Sequence, residues 1–188
     1  INPDLATSVP DWMAELEALV KRTHEAGLKL FIDFVPNHVA RQYISDVKPE
    51  GVEDFGENDD KAIEFDPNNN FYYIPGQSFE VPGEYESIGD QVIKSKDNII
   101  HENPAKATGN DVFSATPSVN DWFETVKLNY GVDYLNDRTT HFEPIPNTWL
   151  KMSDIRSYCA SKGVDWFRCD MAEMVPVEFW GWVIKTIN

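Results

Sequence analysis

The stretch VDWFRCD, residues 164–170, decides how the rest of the chain is interpreted. Its valine, tryptophan and phenylalanine are typical of a strand in a protein interior, yet Arg168 and Asp170 stand two residues apart within it. Side chains at positions i and i+2 of a strand share one face, so both charges are expected to project the same way. Because a buried charge is costly unless it is paired, the pattern predicts an Arg168–Asp170 ion pair.

A helix and a glycine are predicted before this strand, and the same order occurs near the start of the chain. Asn147 can cap the segment NTWLKMSDIRSYCASKG, which Gly163 ends. Near the start, SVPDWMAELEALVKRTHEAG has apolar residues at helical spacing, ends at Gly27 and precedes the apolar run LKLFIDFV. VPVEFWGWVIKTIN predicts one more helix. This alternation favours a parallel α/β fold whose strands are covered on both faces.

Residues 39–146 do not continue this alternation. They contain turn sequences such as IPGQ and VPGE, the acidic stretch EDFGENDD and the aromatic run FYY. A structureless loop of that length is implausible, so we expect short strands and irregular loops in a small inserted domain. The predicted organisation is therefore 1–38, 39–146 and 147–188.

Polar residues follow both predicted strands. DFVPNH supplies Asp33, Asn37 and His38 at the end of the first strand, and the second ends with Arg168 and Asp170. The carboxyl ends of parallel strands line one rim, so we expect these side chains to meet there. Two interpretations stay open at this point. The ion pair ties two strands together, or the arginine keeps a carboxylate ionised for use as a nucleophile.

Two motifs carry a resemblance to a known family. DFVPNH, residues 33–38, and FRCDM, residues 167–171, resemble the first and second signatures of the α-amylase family, glycoside hydrolase family 13. In that family they end the third and fourth strands of a barrel and flank an inserted domain, which is where 39–146 falls. VKLNYG, residues 126–131, resembles a weaker signature of the inserted domain but keeps only its Leu-Asn pair. The resemblance implies a partial TIM (β/α)8 barrel with a small irregular, β-rich inserted domain.

The resemblance also implies roles for individual residues. Asp170 matches the nucleophile that forms the glycosyl-enzyme intermediate of a retaining mechanism, and Arg168 matches the arginine that orients it. His38 matches a histidine that hydrogen-bonds the sugar, and Asp33 a supporting residue of that substrate site. Asn37 matches a position that often binds calcium, so calcium is the one cofactor implied.

Three departures from the family pattern bear on specificity. Trp166 stands where the family usually has glycine, and its ring is expected to fill the interior below the site. Glu173 and Met174 stand where many members have Lys-His, which contact sugars on the leaving-group side. The exact α-amylase specificity is therefore left open.

The expected function is retaining hydrolysis of α-glucosidic bonds in starch-like α-glucans. A transglycosylase or branching enzyme of the same family, or a non-catalytic glycan-binding homologue, remains an alternative. The 80 residues outside 39–146 suffice for about two of the eight units of a barrel of about 250 residues. We therefore expect an internal fragment whose general acid/base lies elsewhere, and no activity from the fragment alone.

The amino-acid composition narrows the range of binding partners. With 16 basic and 32 acidic residues the net charge is −16, which argues against nucleic acid or an anionic membrane as a partner. No apolar run approaches the ~20 residues of a membrane span, and a starch-degrading parent favours a secreted, periplasmic or cell-surface location.

Cys159 and Cys169 are expected to be free thiols. Most aromatics of the insertion are expected to form its core, among them Phe71, Tyr72, Tyr73, Phe79 and Tyr85.

Overall fold

The computed structural model describes residues 11–41, 43–45, 48, 50–82 and 100–186. Within these ranges the helices are α1 (Trp12–Glu25), α2 (Asn147–Ser161) and α3 (Val177–Lys185), and a short 3-10 helix covers Ala172–Met174. The strands are β1 (Phe31–Phe34), β2 (His38–Ala40), β3 (Tyr73–Ile74), β4 (Ala105–Lys106), β5 (Thr125–Lys127), β6 (Val132–Asp133), β7 (Thr139–Thr140) and β8 (Trp166–Cys169).

The chain divides into two compact units. Unit 1 comprises Ile1–Phe34 and Met152–Asp170, and unit 2 comprises Val35–Lys151 and Met171–Asn188. Unit 1 therefore holds α1, β1, most of α2, and β8, while the other strands and α3 belong to unit 2. The predicted assignment of 39–146 to an inserted domain stays a prediction.

Unit 1 repeats one local order of a helix, a glycine turn and a strand. Gly27 follows α1 with a φ of +71°, and Gly163 follows α2 with a φ of +92°. These left-handed values suit glycine, which has no Cβ to clash, so each glycine ends its helix and turns the chain into β1 or β8. The predicted order of helix, glycine and strand is confirmed at both places.

β1 and β8 pair in parallel, with Asp33 opposite Arg168. The backbone N–H of Asp170 donates to the carbonyl of Phe34 at 2.9 Å, which continues the pairing past the end of β8. Residues opposite each other in such a pair project from the same face of the sheet. The register of this pair therefore brings the charged residues of the two sequence motifs side by side.

The prediction of a partial (β/α)8 barrel is wrong for the part of the chain that the structure describes. Its strands form four separate two-stranded sheets, and the pairs β2–β5, β3–β4 and β6–β7 are antiparallel. A TIM barrel instead needs eight parallel strands that close into a ring. Within the described ranges only two helix–strand units occur, and the strands of unit 2 form short antiparallel pairs, two of which join segments far apart in the sequence.

The expectation that β1 and β8 are covered on both faces is also wrong. Phe31 and Trp166 lie opposite each other and are 60% and 51% exposed, with their ring centroids 4.8 Å apart. Phe34, on the other face, is buried. A sheet of two strands leaves a face open when nothing packs on it, so Phe31 and Trp166 share an exposed face with Asp33 and Arg168.

Unit 2 has little regular structure, and its core comes from loops and short strands. One apolar cluster consists of Phe79, Ile100, Ala105, Ala115 and Phe123. The expectation that the aromatics of this region form its core is confirmed for four of those named: Phe71, Tyr72, Tyr73 and Phe79. The fifth, Tyr85, lies outside the described residues.

Side chains replace strand pairing for much of the backbone of unit 2. Asn129 is fully buried; its Nδ2 donates to the Asp66 carbonyl at 2.8 Å and its Oδ1 accepts from Gly131 N–H at 2.9 Å. Its own backbone N–H donates to the Asn70 carbonyl at 2.7 Å. Buried backbone groups need partners, so this asparagine of the VKLNYG segment ties the 66–70 loop to its own segment.

Two further findings concern partners and redox chemistry. None of the helices in the described ranges combines the length and apolar character needed to span a bilayer.

Cys159 and Cys169 are free, as predicted. Burial raises the pKa of both thiols, which makes the reactive thiolate form scarcer.

Gly131→Ala is expected to destabilise unit 2. Gly131 has a φ of +82°, and an added Cβ would lie 2.5 Å from the carbonyl oxygen of His141. We expect a cost of about 1–3 kcal/mol and a fall in Tm of roughly 5 °C by calorimetry. Gly181→Ala is the control; a Cβ there meets nothing within 4 Å, so Tm should hold or rise. Equal melting of wild type and Gly131→Ala would contradict the described turn.

Candidate active site

The ends of β1 and β8 bring three predicted site residues together. Arg168 Nη1 donates to Asp33 Oδ2 at 3.1 Å, and Arg168 Nη2 donates to Asp170 Oδ1 at 2.9 Å. One guanidinium thus holds one carboxylate from each sequence motif. Among the described residues, the other oxygens of the two carboxylates, Asp33 Oδ1 and Asp170 Oδ2, have no hydrogen-bond partner.

The backbone around Asp170 fixes where its carboxylate points. Its N–H is held by the Phe34 carbonyl, and the next residue, Met171, has a left-handed φ of +50°. A left-handed residue other than glycine is uncommon and costs about 1–3 kcal/mol when its surroundings impose it. The chain therefore turns away directly after Asp170, which leaves its side chain at the carboxyl end of the pair.

The energetics of these ion pairs argue against a purely structural role. The side chain of Arg168 is 63% exposed, that of Asp33 is 59% exposed and that of Asp170 is 33% exposed. Exposed pairs contribute about 0–1 kcal/mol, so the cluster adds little to stability. The cluster does fix the orientation of the Asp170 carboxylate. The planar guanidinium presents its donors at fixed angles, and its bond to Asp33 aims Nη2 at Asp170.

Asp165 fixes the opposite end of the same strand pair. Its carboxylate accepts hydrogen bonds from Lys29 Nζ at 2.7 Å, from the N–H of Leu30 at 2.9 Å and from His24 Nε2 at 2.7 Å. These donors, Lys29 first, hold the pKa of Asp165 well below its usual range. Because Leu30 precedes β1 and Asp165 precedes β8, the carboxylate helps to set the register that aligns Asp33 with Arg168.

Asn37 and His38 belong to unit 2 and make their described contacts there. His38 lies in β2, opposite Lys127 of β5, and its ring meets the Trp122 ring edge-on with centroids 5.5 Å apart. Asn37 is 1% exposed; its Nδ2 donates to the Gly109 carbonyl at 2.7 Å. The meeting of His38 with Asp33, Arg168 and Asp170 stays a prediction.

The surroundings of Asn37 do not fit the calcium ion that the family resemblance implies. Calcium takes six to eight oxygen ligands, but Asn37 Oδ1 accepts a hydrogen bond from the ammonium of Lys127 at 3.0 Å. Within the described ranges, no group of three or more His, Cys, Asp or Glu side chains could hold a metal ion. A cationic nitrogen therefore lies where an ion would have to bind.

Sequence reasoning missed three residues that organise these sites: Asp165, Lys127 and Asp111. Asp165 carried a signal, since it is an acid placed directly before an apolar strand. Lys127 also carried one, because it interrupts the apolar residues Val126 and Leu128. Nothing in the sequence indicated that Asp111, from a distant loop, pairs with Lys127.

Comparison with known proteins does not identify a family. No protein-family model matches the chain, and no curated protein gives a significant sequence match. The resemblance to the α-amylase family therefore rests on the sequence motifs alone.

Asp165→Asn is expected to lower Tm near neutral pH, because the amide loses the charge that Lys29 and His24 bind. The folded-state pKa is depressed, so this stabilisation is fully present above the unfolded-state pKa of about 3.9. It is lost as pH falls through the lower folded-state pKa. Thermal unfolding across acidic pH should show the gap between wild type and variant closing. A gap of constant size down to the lowest pH would contradict this role.

Proposed function

We propose that this chain supplies the nucleophile, Asp170, of a retaining glycoside hydrolase that acts on starch-like α-glucans. The observation that carries the proposal is the guanidinium of Arg168, which donates to both Asp33 and Asp170 at the end of a parallel strand pair. This exposed arrangement contributes little to stability but presents a directed carboxylate. It lies within the two motifs that resemble the α-amylase family.

The two oxygens of Asp170 suit different tasks. Oδ1 is held by Arg168, and Oδ2 has no hydrogen-bond partner among the described residues. We assign the attack to Oδ2, which forms a bond to the anomeric carbon while the glycosidic C–O bond breaks. The departing oxygen takes a proton from a general acid, and water then cleaves the ester of Asp170.

Asp33, the second carboxylate on Arg168, is not suited to be the general acid. Retaining hydrolysis uses two carboxyl groups roughly 5–5.5 Å apart, one of which must be protonated to act as the acid. Asp33 accepts a hydrogen bond from the same guanidinium as Asp170, which suits a carboxylate rather than a proton donor. Hydrolysis then needs a general acid other than Asp33, and we expect this chain on its own to leave starch intact.

The remaining assignments concern substrate and location. His38 is proposed to hydrogen-bond the sugar and Asp33 to support Arg168. Whether water or a sugar hydroxyl resolves the intermediate separates a hydrolase from a transglycosylase. A polymeric glucan favours a secreted, periplasmic or cell-surface location, since such a substrate does not cross a membrane.

A mechanism-based label tests the nucleophile directly. The protein encoded by the complete gene is incubated with 5-fluoro-α-D-glucosyl fluoride, whose fluoride departs without a general acid, and its peptides are analysed by mass spectrometry. We expect one fluoroglucosyl adduct, on Asp170, because this carboxylate attacks the anomeric carbon. Asp170→Asn should abolish the adduct and lower turnover of starch by roughly 10⁴-fold or more.

Asp33→Asn is the matched control, since it removes the other carboxylate on Arg168 and leaves the nucleophile in place. It should keep the adduct on Asp170 and lower turnover less than Asp170→Asn does. An adduct on another residue would remove Asp170 from its role. Glucan binding with neither adduct nor turnover would instead favour the non-catalytic glycan-binding alternative.

A further inference from the structure

Lys127 is a buried lysine in unit 2. Its side chain is 3% exposed, and its ammonium lies 2.5 Å from Asp111 Oδ1 and 3.0 Å from Asn37 Oδ1. Lysine is almost never fully buried unless it is paired, because removing an ammonium from water is costly. Two oxygens from distant parts of the sequence therefore converge on this cation.

The backbone of Asp111 shows that this contact is imposed by the fold. Asp111 has a left-handed φ of +68°, which a residue other than glycine adopts only at a cost. Its buried Oδ1 has no aligned hydrogen bond, so the short contact with Lys127 is an ion pair. The surrounding loop thus holds a carboxylate against the ammonium despite the strain.

Two contacts, one with the Lys127 ammonium and one with the Gly109 carbonyl, determine which way the amide of Asn37 faces. Lysine can only donate hydrogen bonds, so the amide atom that faces Nζ must be the oxygen. The Gly109 carbonyl can only accept, so the atom that faces it at 2.7 Å must be Nδ2. The two contacts require the same orientation.

That orientation in turn determines the tautomer of His38. Asn37 Nδ2 lies 3.2 Å from His38 Nδ1, and an amide nitrogen only donates. His38 Nδ1 must then be the unprotonated acceptor, and the proton of the neutral ring sits on Nε2. The hydrogen bonds from Lys127 to Asn37 and from Asn37 to His38 are called the relay below. Its two ends are close together, because His38 lies opposite Lys127 in the β2–β5 pair.

We propose that Lys127 is a positioning residue that makes His38 a hydrogen-bond donor at Nε2, and that its ammonium takes the place of a calcium ion at Asn37. A calcium ion would need the Asn37 oxygen that Lys127 occupies. The tautomer rests only on the geometry of unit 2. The use of Nε2–H to bind a sugar hydroxyl rests on the proposed function, which the labelling of Asp170 tests separately.

Long-range ¹H–¹⁵N correlation spectra of the histidine rings test the relay, at alkaline pH where imidazoles are neutral. The wild-type chain should show His38 as the Nε2–H tautomer. Lys127→Met, which keeps the length of the side chain but removes its donors, leaves only the Gly109 contact to orient Asn37 and should raise the share of the Nδ1–H tautomer of His38. Lys106→Met is the matched control, since Lys106 is a half-buried partner of Glu102 and should leave the His38 signals unchanged.

The wild-type spectrum is decisive even if Lys127→Met does not fold. An Nδ1–H tautomer of His38 would overturn the proposal, as would an unchanged tautomer in a folded Lys127→Met chain. An Nε2–H signal in wild type supports it.

Thermal unfolding in the presence of calcium and in the presence of EDTA tests whether a calcium ion binds at Asn37. Wild type should melt at the same temperature in both. A rise in Tm with calcium that Asp111→Asn abolishes would place the ion at Lys127 and overturn the proposal. A rise that Asp111→Asn preserves would place the ion elsewhere and leave Lys127 as the cation at Asn37.

Discussion

The register of one parallel strand pair determines the candidate active site. With Asp33 opposite Arg168, a single guanidinium reaches two carboxylates that the sequence places far apart. A shift by one residue would move these side chains to opposite faces of the sheet. The register is held at one end by the backbone bond of Asp170 and at the other by the carboxylate of Asp165.

Unit 2 is stabilised differently. Its strands are short, so most of its backbone lies in loops whose polar groups need other partners. Buried asparagines and lysines do this by hydrogen-bonding groups of separate segments, as Asn129 does for Asp66 while also bonding Gly131 of its own segment. Such polar networks are rigid when every member has a partner. The relay from Lys127 through Asn37 to His38 is one of these networks. In it, we propose, the contact between Lys127 and Asn37 sets the tautomer of His38.

The sequence predicted local structure better than global architecture. The spacing of apolar residues and the glycines at 27 and 163 located two helix–strand units, since these signals act within a few residues. The i, i+2 spacing of Arg168 and Asp170 also predicted their ion pair. The barrel was wrong because closure depends on strands that pair over long distances, which local patterns do not specify.

The polar network was missed for the same reason. Asn37 was noticed as a motif residue and assigned to calcium, but its actual partner, Lys127, follows it by ninety residues. A motif names the residue types at a site, whereas the partner of each atom depends on how distant loops meet. Hydrogen-bond partners in unit 2 therefore had to come from the structure.

The most direct test of the account is a crystal structure of the fluoroglucosyl-labelled protein. We predict a covalent bond between Asp170 Oδ2 and the anomeric carbon, with Oδ1 still accepting a hydrogen bond from Arg168. A sugar bonded to another side chain, or an Arg168 that no longer contacts Asp170 in the intermediate, would contradict it.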